Sequence, residues 1–219
     1  EVHLHDISSV KGSVVVEDFS KEKFKMHLKS GHVHVIGILP GGVVTKKETA
    51  DIQLDENGEF VRDPKVDIVK TAVVERHQGT GNVACGFLKG YGIKEGAVAL
   101  SIAHDSHNII VVGVSDEEME AAVNALIAQE GGIVLVKDGQ VIESMPMPIA
   151  GLMSDCSGEW VDQKLTDIHE KAYSELGICG DVEPVMTLCF MSLAVIPEIK
   201  LTDMGLFDVT TFSFISTEA

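Results

Sequence analysis

Two apolar runs, GAVALSIA (96–103) and NIIVVGV (108–114), are separated only by His104, Asp105, Ser106 and His107. Both runs have the length and character of buried strands, so one core strand hands over directly to the next. The arrangement recurs along the chain. FKMHL (24–28) alternates Phe24, Met26 and Leu28 against Lys25 and His27; KSG turns; HVHVIGIL (32–39) returns, a hairpin pattern closed by PGG. GIVLVKDGQVIESMPM (132–147) reads as two strands around Asp138-Gly139, and Asn57-Gly58 marks another turn. GSVVVE (12–17), KVDIVKTAVVE (65–75) and LFDVTTFSFI (206–215) are further strand-like runs. Strands following strands through short turns predict an α+β fold of about nine strands in a largely antiparallel or mixed sheet. The strand–helix alternation of a (β/α)₈ barrel is absent, so the fold is not a TIM barrel.

Helices are few, two to four. Ser115 and Glu118 make an S-x-x-E capping box with acids crowding the first turn. Met119, Ala122, Val123, Leu126 and Ile127 then form one apolar face, stopped by Gly131 and Gly132. A second helix is predicted over 158–176, with Val161, Leu165, Ile168, Ala172 and Leu176 on one face and Gly177 at its end. VMTLCFMSLAVI (185–196) is a last apolar run before Pro197.

The 219 residues carry 34 acids against 17 bases, a net charge of −17. The basic footprint of a nucleic-acid or anionic-membrane partner is missing. No apolar run approaches the roughly 18–20 residues of a membrane span. The first residues, EVHLHDISSV, do not read as a signal peptide. Cys85, Cys156, Cys179 and Cys189 contain no C-x-x-C pair, which excludes a zinc knuckle or thioredoxin-type motif. Reduced thiols in a cytoplasmic protein are expected. The P-loop pattern, the G-x-S-x-G elbow and the H-x-E…P-C-x-x-C zinc deaminase signature are all absent.

Two stretches carry chemistry. The His104, Asp105, His107 cluster supplies two imidazoles and a carboxylate that can bind a divalent metal or shuttle protons. The same residue types equally suit the polar hinge of a hairpin. VVERHQGTG (73–81) ends an apolar run with Glu75, Arg76 and His77 just before glycines, a common place for functional side chains. The H-x-H pairs His3/His5 and His32/His34 read as alternate residues on the wet face of a strand. Asp155 and Asp203 stand in acid-containing turns, as caps or as members of a site.

Three stretches together resemble the C-terminal domain of prokaryotic adenine deaminase: VVERHQGTGNVACGFLKGYGIKEGAVALSIAHDSHNIIVVG, MPMPIAGLMSD and VIPEIKLTDMGLFDV. The resemblance runs from about Phe24 to Phe214 and is strongest over 73–113. It implies a domain over 19–219, preceded by a linker or leading strand over 1–18. It also implies an enzyme that hydrolyses adenine to hypoxanthine and ammonia for purine salvage, using manganese or iron in an N-terminal amidohydrolase barrel. A barrel alone takes roughly 250 residues, more than this chain contains. The expectation is therefore a domain inactive alone that caps or supports the barrel and belongs to a homo-oligomer. An oligomerisation module, or a domain with its own metal or small-ligand site, are the alternatives. His77, His104, Asp105 and His107 are the candidates for an auxiliary catalytic role. Glu75, Arg76, Asn108 and Asp155 are the candidates for substrate binding. His104 and His107 are the possible metal ligands, and His77 joins His104, Asp105 and His107 only if the two loops meet.

Overall fold

A computed structural model describes residues 6–219; the His3/His5 pair lies outside them. Strands β1 (His32–Ile38), β2 (Thr45–Asp51), β3 (Gln53–Leu54), β4 (Phe60–Val61), β5 (Ile68–Val74), β6 (Val83–Lys89), β7 (Ala97–Leu100) and β8 (Ile109–Gly113) precede helix α1 (Asp116–Ala128). The hairpin β9 (Gly132–Lys137) and β10 (Gln140–Pro146) follows, then helices α2 (Gly158–Ser174) and α3 (Pro184–Cys189). Strands β11 (Ile199–Thr202), β12 (Gly205–Asp208) and β13 (Ser213–Ile215) end the chain.

Eight strands form one sheet in the order β10-β9-β7-β8-β5-β6-β1-β2. Every pair is antiparallel except β1 with β6, where Ile36 faces Leu88, so the sheet is mixed. The expected α+β class holds, and the sheet does not close into a barrel. Strands β5, β7 and β8 are buried along their whole length, because both faces of the sheet are covered. Alternation sorts their side chains. Val98, Leu100, Ile110 and Val112 pack toward α2 and α3, meeting Ile168, Ala172 and Leu188. The smaller Ala97 and Ala99, with Ile109 and Val111, pack toward Met119, Ala122, Val123 and Leu126 of α1. The small sheet β11-β12-β13 lies on the α2 side through Ile199, Leu201 and Leu206.

Helix α1 begins where its cap predicts: Ser115 Oγ accepts from the Glu118 amide at 3.2 Å. The Glu118 carboxylate does not close the box; it accepts from the Gly139 amide and pins the β9–β10 turn to the helix. The Asp138-Gly139 hairpin is as expected, with Lys137 opposite Gln140.

Four expectations need correction. FKMHL is not the partner of β1; Lys21–Phe24 is a 3₁₀ turn, and β1 pairs with the polar β2 instead. Phe24 is fully buried against the α1 face, while the Met26 and His27 amides bond to the Glu59 carboxylate, so this segment has no free backbone edge to offer. GSVVVE forms no strand: Val14 and Val16 pack on the core, and the Val15 amide donates to the Arg76 carbonyl. The run 206–215 is two antiparallel strands joined at Asp208–Ser213 rather than one. The described residues hold thirteen strands rather than about nine, because short edge segments carry no apolar signal. No helix among the described residues is long and apolar enough to cross a membrane.

Candidate functional site

β5 ends, β6 and β8 begin, and β10 ends at one edge of the large sheet. The loops 75–82, 101–108 and 147–157 meet there, and residues 10–15 join them. Glu75 follows the last residue of β5 and is buried. Its carboxylate accepts from the amides of His77 (2.5 Å), Gln78 (2.9 Å) and Thr80 (3.0 Å), and from the Thr80 hydroxyl (3.0 Å). Burial alone pushes this acid up, but the four donors outweigh it and bring it down to about 2. Glu75 is thus a fixed anion around which the glycine-rich loop is wrapped.

Arg76 is the hub. Its residue is 1% exposed and its guanidinium meets only carbonyl oxygens: His107 through Nε (2.5 Å), Ala150 through Nη2 (3.1 Å) and Ser13 through Nη1 (3.4 Å). Its amide donates to Asn108 Oδ1 at 3.3 Å. A planar fork with divergent donors can hold three loops at once, which a lysine cannot. Gly151 makes room for it. This residue has φ +70°, and a Cβ there would come within 2.7 Å of Arg76 Nη1. Ser101 completes the frame, donating to the Gly151 carbonyl and accepting from the Gly132 amide.

The loops of His77 and His104–His107 do meet. His77 is exposed, with Nε2 2.7 Å from the Ser106 carbonyl. His104 stacks on Phe190, centroids 5.0 Å apart and planes 20° apart, and its amide donates to the Cys189 carbonyl. His107 lies 5.5 Å from His104 by ring centroids. Its backbone is left-handed, φ 53°, an uncommon state for a side-chain-bearing residue, and its amide donates to the Ala103 carbonyl. Nδ1 of His107 is buried and has no hydrogen-bond partner. Burial, and then the neighbouring His104 and Arg76, hold its pKa below the ordinary value, which favours the neutral ring. Asp105 is exposed, 3.6 Å from His104 Nδ1.

Asn108 is buried under this loop, whereas Asp155 is exposed and pairs with Lys11 at 3.4 Å. The 149–155 loop reaches the cluster through the Ala150 carbonyl, not through Asp155. Phe190, Ser13 and Ala150 were not foreseen: Phe190 sits in an apolar run, and the other two contribute backbone oxygens, which leave no mark in a side-chain pattern. His32 and His34 sit on one face of β1, with Nδ1 atoms 2.8 Å from Asp51 Oδ1 and 3.0 Å from the Ser216 carbonyl. Among the described residues no three His, Cys, Asp or Glu side chains converge as a metal-ligand set. The cluster offers imidazoles and one exposed carboxylate on a rigid frame, suited to hydrogen bonding and proton exchange.

Residues 42–213 match the family model described as the adenine deaminase C-terminal domain. Adenine deaminase 2 of Desulfotalea psychrophila is 68% identical over all 219 residues, which cover 38% of that relative. Adenine deaminase of Ligilactobacillus salivarius is 49% identical over 218 residues, again 38% of its length. Adenine deaminase 2 of Carboxydothermus hydrogenoformans is 46% identical over 210 residues, 36% of its length. The chain therefore spans little more than a third of these relatives, and it belongs to the adenine deaminase C-terminal domain family.

Proposed function

We propose that this domain assists an adenine-hydrolysing enzyme by closing the mouth of a separate N-terminal amidohydrolase barrel, and that it is inactive alone. The reading rests on one observation above all: a buried guanidinium locks three loops so that two imidazoles and a carboxylate stand at fixed positions on one edge of the sheet. Preorganised polar groups on a rigid support are what a reaction that moves protons requires. The relatives are named adenine deaminases, which supports adenine as the substrate; hydrolytic removal of its amino group yields hypoxanthine and ammonia, and purine salvage is the setting we propose for it. In the barrel, manganese or iron would supply an ionised water.

In this chain, His77, His104, Asp105 and His107 take the auxiliary roles. Neutral His107 has one ring nitrogen to give a proton and one to accept it. His104, stacked on Phe190, presents a ring edge beside the exposed Asp105 carboxylate. Glu75, Arg76 and Asn108 position these groups, and Asp155 borders the rim. The parent enzyme works in the cytoplasm.

The His104→Ala/His107→Ala double variant of the full-length enzyme should lose roughly 10- to 100-fold in kcat/KM for adenine, the size of a lost general acid–base contribution. Unchanged turnover and KM in a variant with native circular dichroism would reject the assignment.

An oligomerisation role has separate support. Met204, Phe212 and Phe214 are exposed on and beside β12 and β13, and both phenylalanines lie edge-on to Phe207 at 5.2 Å. Exposed aromatic groups of this kind favour a second copy of the domain. The Phe212→Ser/Phe214→Ser variant should elute as a smaller species in size-exclusion chromatography across a dilution series. An unchanged elution volume at every concentration rejects this surface as the contact.

A further inference from the structure

A second polar site lies away from the histidine cluster. The turn before β5, the turn after β6 and the glycine-rich turn after α2 enclose a cleft of about 480 Å³. Arg62, Lys65 and Lys94 line it, against a single lining carboxylate, Asp67. Asp67 is already engaged, its Oδ1 accepting from the Gly92 amide at 3.0 Å. In a chain with twice as many acids as bases, most lysines find a carboxylate, nine of them among the described residues. None of these three cations has a carboxylate within ion-pairing distance among the described residues.

Two of the three are held in place. Arg62 donates through Nη2 to the Ile93 carbonyl at 3.1 Å, while its Nε is buried and has no partner. The guanidinium is thus anchored at one amino group and keeps donor capacity to spare. The Lys94 stem lies across Gly177, close enough that a Cβ there would meet its Cδ at 3.1 Å. That contact aims the ammonium while leaving it in solvent.

We propose that this cleft binds a small oxyanion carrying two or more negative charges, a phosphoryl group or a di- or tricarboxylate, gripped by Arg62 and Lys94 with Lys65 at the rim. Guanidinium and ammonium groups lining one cleft offer charge-assisted donors to such an anion, even on a protein of net charge −17.

Inorganic phosphate and citrate, each titrated calorimetrically into the full-length protein at low salt, test the proposal. Saturable binding is expected that weakens as salt rises. Arg62→Gln and Lys94→Gln should each weaken it by about fivefold or more, the loss of one charge-assisted contact. Lys29→Gln, at an exposed lysine outside the cleft, should leave it unchanged. Tighter phosphate identifies the phosphoryl class and tighter citrate the carboxylate class; either supports the site. No saturable binding of either anion, or equal weakening by Lys29→Gln, overturns it. Native circular dichroism of the glutamine variants keeps a folding defect from counting as a result.

Discussion

Replacing Arg76 with methionine is expected to destabilise the protein by about 3–5 kcal/mol, one of the largest effects of any polar substitution. The residue is 1% exposed, so its loss is not softened by water. Its three carbonyl partners, on His107, Ala150 and Ser13, would lose their donor together. Each buried group left unpaired costs about 1–3 kcal/mol, and the removed volume leaves a cavity beneath Gly151. Arg76→Lys should recover little, because one ammonium cannot span three diverging acceptors. Denaturant unfolding of both variants measures the effect. A loss below about 1 kcal/mol for Arg76→Met would mean that the three loops are held by something other than this guanidinium.

Lys200→Met should act in the opposite direction. Lys200 is fully buried on β11, and its ammonium donates to the Val43 carbonyl at 2.9 Å with no carboxylate within ion-pairing distance among the described residues. Burial pushes it down to about 8 from its ordinary 10.5. The unfolded chain therefore keeps the proton up to about pH 10.5, while the folded protein releases it near 8. Between those values the unfolded state binds more protons, so wild-type stability gains a contribution that rises with pH. Near pH 7 the group is charged in both states and the burial penalty stands in full, on the order of 3 kcal/mol. Methionine fills the space without the charge. Allowing for the lost bond to Val43, a net gain of about 1–2 kcal/mol at pH 7 is expected. By pH 10.5 that advantage should have vanished. Urea unfolding of the two proteins at pH 7 and pH 10 tests this, and a Lys200→Met variant less stable than wild type at pH 7 would contradict it.

The elements that could be read in advance are those whose cause is local. Ser115 caps α1 by reaching three residues ahead, and Asp138-Gly139 turns its own hairpin. The β7 and β8 runs are apolar throughout, and β5 is apolar but for Lys70 and Thr71, because both faces are covered, and that pattern survives any change of neighbour. β2 could not be read in this way. TKKETAD is mostly exposed at the sheet edge, where charged residues discourage further pairing, so it carries no strand pattern. FKMHL shows the opposite failure: it alternates like a strand, yet Glu59, over thirty residues away, takes its amides.

The candidate site divides on the same physical line. The residue types at Glu75–His77 and His104–Asn108 announce polar groups at strand ends, and the spacing of apolar runs places them in loops. Which of them face inward is a matter of partners distant in sequence. Nothing near Arg76 reveals that its acceptors lie on Ser13, His107 and Ala150, because backbone oxygens are the same at every residue.

The fold class, the core strands, the first helix and its cap, and the positions of the polar loops are legible in the amino-acid order, since each follows from periodicity or from contacts within a few residues. The strand order, the pairing of β1 with β2, the burial of Arg76 and Lys200, and the clustering of cations around Arg62 emerge only in the folded molecule. Those depend on long-range neighbours competing for the same hydrogen-bonding groups and charges, and that competition is resolved only when the whole sheet is assembled.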